Sequence, residues 1–220
     1  MGNSGNDGKG PIMSVKKVEI PRYQLVMLGA PNAGKTALVK QLHPGYAPEA
    51  ADPMMQDSCR ARLVVDRHPY MLDVVDNAEH DDYPELCDQL IRQADGILVV
   101  YSAASRESFN RVSGYPAIIM RARNRVAVPV VLVGNDCDMI AEREVAREEG
   151  MELAKRFQCE FVECSARTCV NVQRPFFKIV RSIREMRERE AQIRKAEEEE
   201  EEEDEEDERG RKRKSECRLQ

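Results

Sequence analysis

The chain has 220 residues, 41% of them hydrophobic, which is enough to bury one core of ordinary domain size and favours a single globular domain with tails. Its formal charge of −6 is set by twelve consecutive acids at 197–208; with those set aside the remainder carries +6, most of it in the segment beyond them. The folded part is therefore near neutral, which argues against nucleic acid as a partner, and seven cysteines without a C-x-x-C pair argue against a disulfide framework or a zinc site and read as reduced, cytosol-facing thiols.

Residues 1–20, rich in Gly, Asn, Ser and Lys, are too polar to pack and read as a disordered N-terminal extension. The opening Met1-Gly2-Asn3-Ser4 has the form of an acylation signal, but Asn6 stands where that signal needs Ser or Thr. Tyr23–Leu28 then reads as a buried strand and Ala37–Leu42 as a helix, and between them Gly29-Ala30-Pro31-Asn32-Ala33-Gly34-Lys35-Thr36 fits G-x-x-x-x-G-K-[ST]. In the strand–loop–helix setting that this motif requires, backbone N–H groups from Gly29, Asn32, Ala33 and Gly34 on to Ala37 form an anion cradle beside a helix N-terminus. Lys35 is placed to reach terminal phosphates and the Thr36 hydroxyl to ligate magnesium.

Residues 43–58 carry Pro44, Gly45, Pro48 and Pro53 and read as a long loop beside the phosphate site, where long loops are usually functional. Two apolar strands, 60–66 and 70–75, flank Arg67-His68-Pro69 as a hairpin turn, which makes His68 a turn residue rather than a ligand. The second strand delivers Asp76 at its C-terminal end, where an acid can hold magnesium through water. Further on, 84–94 reads as a helix opened by Pro84, Gly96–Tyr101 as a buried strand, and 105–124 as helical with a break near Gly114 and Pro116. Pro129–Gly134 reads as another buried strand, 141–157 as an amphipathic helix, 160–164 as a short strand and 171 to about 195 as the last helix. Strands alternating with helices predict an α/β fold of the P-loop type, a mostly parallel sheet with helices on both faces, over residues 21–190.

Residues 191–220 form a tail, acidic and then polybasic. Dense like charge at 197–208 favours an extended, solvated segment, although part of it can prolong the last helix. After Arg209-Gly210-Arg211-Lys212-Arg213-Lys214 the chain ends in Cys217-Arg218-Leu219-Gln220, a fit to the C-a-a-X prenylation pattern in which terminal Gln favours farnesyl on Cys217. One lipid chain binds weakly, and the basic hexamer supplies a second signal on an anionic leaflet, so the expected location is the cytoplasmic face of a membrane, the plasma membrane in the first instance. A nuclear-localisation or plain solubilising run is the alternative for the hexamer.

Three further stretches decide the class: Asp76-Asn77-Ala78-Glu79-His80, Asn135-Asp136-Cys137-Asp138 and Glu163-Cys164-Ser165-Ala166-Arg167. In this order and at these separations they resemble the nucleotide-binding motifs of Ras-like small GTPases over residues 22 to about 188. The resemblance implies a six-stranded sheet, five strands parallel and one antiparallel, with GTP or GDP and Mg2+ across its C-terminal edge. It further implies that Asp138 accepts from guanine N1 and N2, that Asn135 ties the base loop to the phosphate loop, and that the Ala166 amide, flanked by Ser165 and Arg167, donates to the guanine oxygen. Adenine lacks the donor pair that a carboxylate needs, which separates the two bases. Effectors, exchange factors and GTPase-activating proteins are the partners so implied.

The departures from the family pattern matter as much. Met54 has no hydroxyl where the family has a Thr on magnesium and the γ-phosphate, Glu79 replaces a Gly, and His80 replaces the Gln that orients the attacking water. Asp136 replaces a Lys, and Pro31 takes a usual Gly position in the phosphate loop. With Lys35 and His80 as the catalytic residues, the expectation is a membrane-attached GTP/GDP switch that hydrolyses GTP slowly; the alternative is a pseudo-GTPase, a binding module without useful turnover.

Overall fold

A computed structural model describes residues 20–42, 58–76 and 84–216. Among the described residues there are six strands, β1 (Arg22–Gly29), β2 (Ser58–Val65), β3 (His68–Asp76), β4 (Gly96–Ser102), β5 (Val130–Asn135) and β6 (Glu160–Glu163), and six helices. These are α1 (Lys35–Leu42), α2 (Pro84–Gln93), α3 (Arg106–Val112), α4 (Tyr115–Ala122), α5 (Arg147–Arg156) and α6 (Arg174–Glu216). The strands form one sheet in the order β2-β3-β1-β4-β5-β6, antiparallel between β2 and β3 and parallel elsewhere. This is the mostly parallel six-stranded sheet expected, and helices cover both of its faces.

Period-two alternation splits the apolar residues of the central strands between two cores. Leu25, Met27, Leu72, Val74, Leu98 and Val133 meet Leu38 and Val39 of α1 and Phe176, Ile179, Val180 and Ile183 of α6. Val26, Leu28, Ile97, Val99, Tyr101 and Leu132 meet α2 to α5 through Leu90, Ile91, Phe109, Val112, Ile119 and Leu153. The cores hold β1, β4 and β5 rigid, so the loops at their C-terminal ends are carried on a fixed platform.

Three elements differ from the sequence reading. The hairpin turn is Asp66-Arg67, with φ 50 and 68, rather than 67–69, and His68 already pairs with Val65 as a strand residue. Two positive φ values match the twist that joins right-twisted strands through a two-residue loop. Pro69 is accommodated in β3 because the pairing of β1 with β3 begins only at Arg22 and Met71, so no ladder donor is lost. The helix expected over 141–157 begins at Arg147, since the amides of Glu144 and Val145 both donate to Ala103 O at 3.0 Å and are not available to a helix. The Glu149 carboxylate instead accepts from Ala146 N at 2.9 Å at the start of α5. The last helix, expected to end near 195 and to give way to an extended acidic run, continues to Glu216. Glu ranks with the better helix formers, and acids that precede bases along a helix are in the favourable order for its dipole, so backbone preference outweighs like-charge repulsion here.

Candidate functional site

The expected site residues within the described segments gather at one edge of the sheet. β1 ends in Gly29, β3 in Asp76, β4 in Ser102 and β5 in Asn135, and the loop after β6 follows at the same edge, where open α/β sheets hold ligands. Met54, Asn77, Ala78, Glu79, His80 and Cys217 lie outside the described residues.

The phosphate loop is built by a turn and two close approaches. Ala30 to Ala33 form a β-turn closed by Ala33 N–H to Ala30 O at 3.2 Å, with Pro31 second and Asn32 third at φ 63. That is the type II arrangement, which prefers Pro and then a residue of positive φ, and it explains why Pro31 fits. A Cβ on Gly29 would stand 2.1 Å from Val100 O, and one on Gly34, at φ +85, 2.0 Å from Asn135 Nδ2. The first helical donor of α1 is Leu38 N–H, to Gly34 O at 3.0 Å. The amides of Lys35, Thr36 and Ala37 therefore open toward the N-terminal end of the helix, where its dipole favours an anion.

Lys35 is 3% exposed, and its ammonium donates to Gly29 O at 2.7 Å and Ala30 O at 3.0 Å. A phosphate arriving there competes with neutral carbonyls, and the charge-assisted bond is the stronger. Thr36 Oγ1 donates to Asp76 Oδ2 at 2.5 Å, and Asp76 is 4% exposed. A hydroxyl and a carboxylate converging from α1 and β3 make a hard-oxygen pair of the kind Mg2+ accepts alongside phosphate and water, so the donor set fits that ion.

On the base side, Asn135 is 1% exposed, and its Nδ2 donates to Ala33 O at 3.2 Å across 102 residues of sequence. The expected tie between base loop and phosphate loop is therefore present. Asn135 Oδ1 accepts from Ala166 N at 3.1 Å, so in this structure the amide expected to face the guanine oxygen is committed to Asn135. Asp138 Oδ2 accepts from Arg167 Nε at 2.8 Å and Nη2 at 2.5 Å, while Asp138 Oδ1 is buried and makes no hydrogen bond of ordinary geometry among the described residues. The Ser165 hydroxyl, and after it the Arg167 guanidinium, holds the Asp138 carboxyl below the usual carboxylate range, so it is an anion and an acceptor. A buried acceptor oxygen of this kind suits a ligand edge that offers N–H donors.

Two participants were not found from sequence. Ser102 donates its hydroxyl to Asp136 Oδ2 at 2.6 Å; its place at the C-terminal end of a buried strand was the signal that could have found it. Arg143 braces the base loop from behind, donating to Cys137 O at 3.2 Å, Val145 O at 3.0 Å and Glu163 Oε1 at 2.7 Å. Its loop has no periodic pattern from which that role can be read. Burial raises the thiol pKa of Cys137 and pushes that of Cys164 up to about 12, so neither is a thiolate at neutral pH.

Comparison with known proteins agrees with this geometry. The model of the Ras family matches residues 24–185. The chain is 38% identical over 188 residues to Ras-like protein 1 of Pyricularia oryzae, a match covering 77% of this chain and 78% of that one. It is 37% identical to a Ras-like protein of Laccaria bicolor, over 74% of this chain and 78% of the other. With Ras-like protein B of Aspergillus fumigatus the identity is 38%, over 76% and 80% respectively.

Proposed function

The chain belongs to the Ras family, whose members are GTPases that bind GTP and GDP, and from that premise we propose that it is a membrane-attached guanine-nucleotide switch that hydrolyses GTP slowly. The observation that carries the guanine reading is Asp138, ionised, with one oxygen on Arg167 and the other buried and outside hydrogen-bond geometry with any described donor, the Ser165 hydroxyl being near the carboxyl. Guanine N1 and N2 supply that donor pair; adenine leaves the acceptor unpaired, at a cost of about 1–3 kcal/mol.

In this mechanism the amides of Asn32 and of Gly34 to Ala37 and the Lys35 ammonium take the phosphates, the Ala33 amide being committed to Ala30 O, with Lys35 exchanging its bonds to Gly29 O and Ala30 O for the β,γ oxygens. Thr36 and Asp76 would hold Mg2+, which when bound would supply neutralisation of the phosphate charge. Asn135, Ser165, Ala166 and Arg167 shape the base pocket. His80 orients water where an amide side chain does so in the family pattern; an imidazole presents one donor and one acceptor in a different geometry, and losing one transition-state donor costs about two to three powers of ten in rate. Cys217, prenylated, and the basic hexamer attach the chain to the cytoplasmic face of a membrane, the plasma membrane first, and regulators and effectors of the family's kind are its protein partners.

Met54 and Glu79 favour a second reading, a pseudo-GTPase that holds nucleotide for the sake of a protein surface. Single-turnover GTP hydrolysis by the purified chain, beside Lys35→Ala and His80→Gln, separates the two. Slow phosphate release that is lost in Lys35→Ala supports the switch. Equal affinity for GTP and GDP without phosphate release leaves the pseudo-GTPase, and binding of neither nucleotide refutes both. For attachment, Cys217→Ser is expected to release the protein from membranes, and unchanged membrane recovery refutes prenylation.

A further inference from the structure

We propose that Asp136 is a positioning residue for the base loops, fixing the Asn135 carboxamide in the one orientation that joins them to the phosphate loop; this rests on the guanine-nucleotide reading above and adds the residue that sets its geometry. Asp136 is the first residue after β5 and has φ 59, a left-handed backbone that Asp tolerates better than most side chains. In that conformation its carboxylate faces two donors. Oδ1 accepts from Asn135 Nδ2 at 3.0 Å and Oδ2 from Ser102 Oγ at 2.6 Å.

The bonds around Asn135 admit only one amide orientation. Nδ2 faces two acceptors, Ala33 O at 3.2 Å and Asp136 Oδ1 at 3.0 Å, while Oδ1 faces two donors, Ala166 N at 3.1 Å and the Cys164 thiol at 4.0 Å. Rotating the amide by half a turn sets an oxygen against both acceptors and an NH2 against both donors, inside a site where Asn135 is 1% exposed. Of the four contacts, the one to Asp136 involves a carboxylate and is the strongest. Ser102 in turn holds the carboxylate. Its Oγ accepts from Ala104 N at 3.3 Å, which directs its own proton to Asp136, and its backbone N–H donates to Ser108 Oγ at 3.0 Å. The bonds thus run from the end of β4 through Ser102 and Asp136 to Asn135 at the end of β5, and there divide to the phosphate loop at Ala33 and the loop after β6 at Ala166.

The test is dissociation of fluorescent GDP from the full chain, paired with equilibrium affinities for GDP and inosine diphosphate, which lacks the N2 amino group. Asp136→Ala is expected to speed dissociation about tenfold, the size of one charge-assisted hydrogen bond lost. Because Asp136 acts on Asn135 and not on the base, the ratio of GDP to inosine diphosphate affinity stays at the wild-type value; Asp138→Ala lowers it. Asp136→Asn keeps an acceptor toward Asn135 and donates to Ser102 Oγ, so it is expected to restore the rate to within about twofold of wild type. Ser102→Ala, a change of one hydroxyl that threatens folding less, is expected to raise it about threefold. Wild-type rates in both Asp136→Ala and Ser102→Ala, an Asp136→Asn as fast as Asp136→Ala, or a changed affinity ratio overturns the proposal while leaving guanine binding intact. Failure of the wild-type chain to bind GDP overturns the guanine reading itself.

Discussion

A single methyl group on Gly34 tests whether the phosphate loop and the base loop form one structure. Gly34 has φ +85, and a Cβ there would lie 2.0 Å from Asn135 Nδ2 and 3.2 Å from its Cγ, both belonging to a side chain enclosed by Ala33, Asp136 and Ala166. Two costs arise in Gly34→Ala. Holding an L-residue in a left-handed backbone costs about 1–2 kcal/mol. Displacing Asn135 sacrifices its bonds to Ala33 O and Ala166 N, at about 1 kcal/mol each. The total of about 3–4 kcal/mol, at roughly 2–4 °C per kcal/mol for a chain of this size, lowers the midpoint of thermal unfolding by about 10 °C without nucleotide. The Asn135 share of about 2 kcal/mol also appears in binding, as a loss of GDP affinity of about thirtyfold. Scanning calorimetry reads the first and titration calorimetry the second. The pair Gly34→Ala with Asn135→Ala adds a sharper criterion: removing the side chain that the methyl strikes should make the double variant less damaged than the sum of the singles. A Gly34→Ala protein with wild-type midpoint and wild-type GDP affinity, or strict additivity with Asn135→Ala, refutes the coupling of the two loops.

Arg143→Ala strands Glu163, whose side chain is 9% exposed, and is expected to cost about 3 kcal/mol at the lower end for a broken buried pair; chemical denaturation measures it, and Arg143→Ala combined with Glu163→Gln should recover part of the loss. Glu149 is held down to about 2 by the Arg106 guanidinium first and the Ala146 amide second, against an ordinary value of 4.5. With the folded value depressed, its stabilisation is fully present above pH 4.5 and is lost as the pH falls from there toward about 2. Glu149→Gln should therefore be less stable than wild type at neutral pH, with the difference closing on acidification; the pair is half exposed, so high salt should shrink it as well. Mild alkylation at neutral pH followed by mass spectrometry should label exposed Cys169 and spare Cys164, which is buried with its thiol pushed up to about 12; early labelling of Cys164 in the folded protein contradicts that burial.

How much of this was legible in the sequence depended on whether the information was local. The motif from Gly29 to Thr36 specifies its own turn, its own glycines and its own helix, so strand, loop and helix follow from eight residues and their flanks. The tie from Asn135 to Ala33 was legible only through the family resemblance, whereas the shared magnesium role of Thr36 and Asp76, which the structure brings into contact, follows from a motif and a strand end. What escaped was set by partners distant in sequence. Ser102 and Asp136 are 34 residues apart, and neither residue type alone announces the other. The commitment of Ala166 N to Asn135 Oδ1 could not be read from the motif, which fixes the residue but not the acceptor it meets. The late start of α5 has the same origin, since the polar run from 141 looks helical until Ala103 O claims the amides of Glu144 and Val145.

The acidic run is where local backbone preference and net charge disagreed, and the outcome bears on the proposed membrane attachment. Arg187 still holds the domain, through Asp95 at 2.5 Å and by lying 4.6 Å over the Tyr23 ring, and the helix then runs on to Glu216 immediately before Cys217. As a helix those roughly 29 residues span about 44 Å, whereas an extended chain of the same length reaches about 95 Å. Under the proposed attachment a helical spacer would set the distance between domain and membrane within narrow limits, while a coil would let the domain approach the membrane freely. The order of charges acts in the same direction. Under the proposed attachment the basic hexamer, two residues short of Cys217, would meet the anionic leaflet first and the twelve acids behind it would be repelled by that leaflet, favouring the rod with its domain end pointing away. Replacing residues 197–208 by Gln, a good helix former without charge, separates the two contributions: the spacer length is retained, the repulsion is removed, and fluorescence transfer between a labelled domain and anionic vesicles should increase. Unchanged transfer would leave spacer length alone to set the distance.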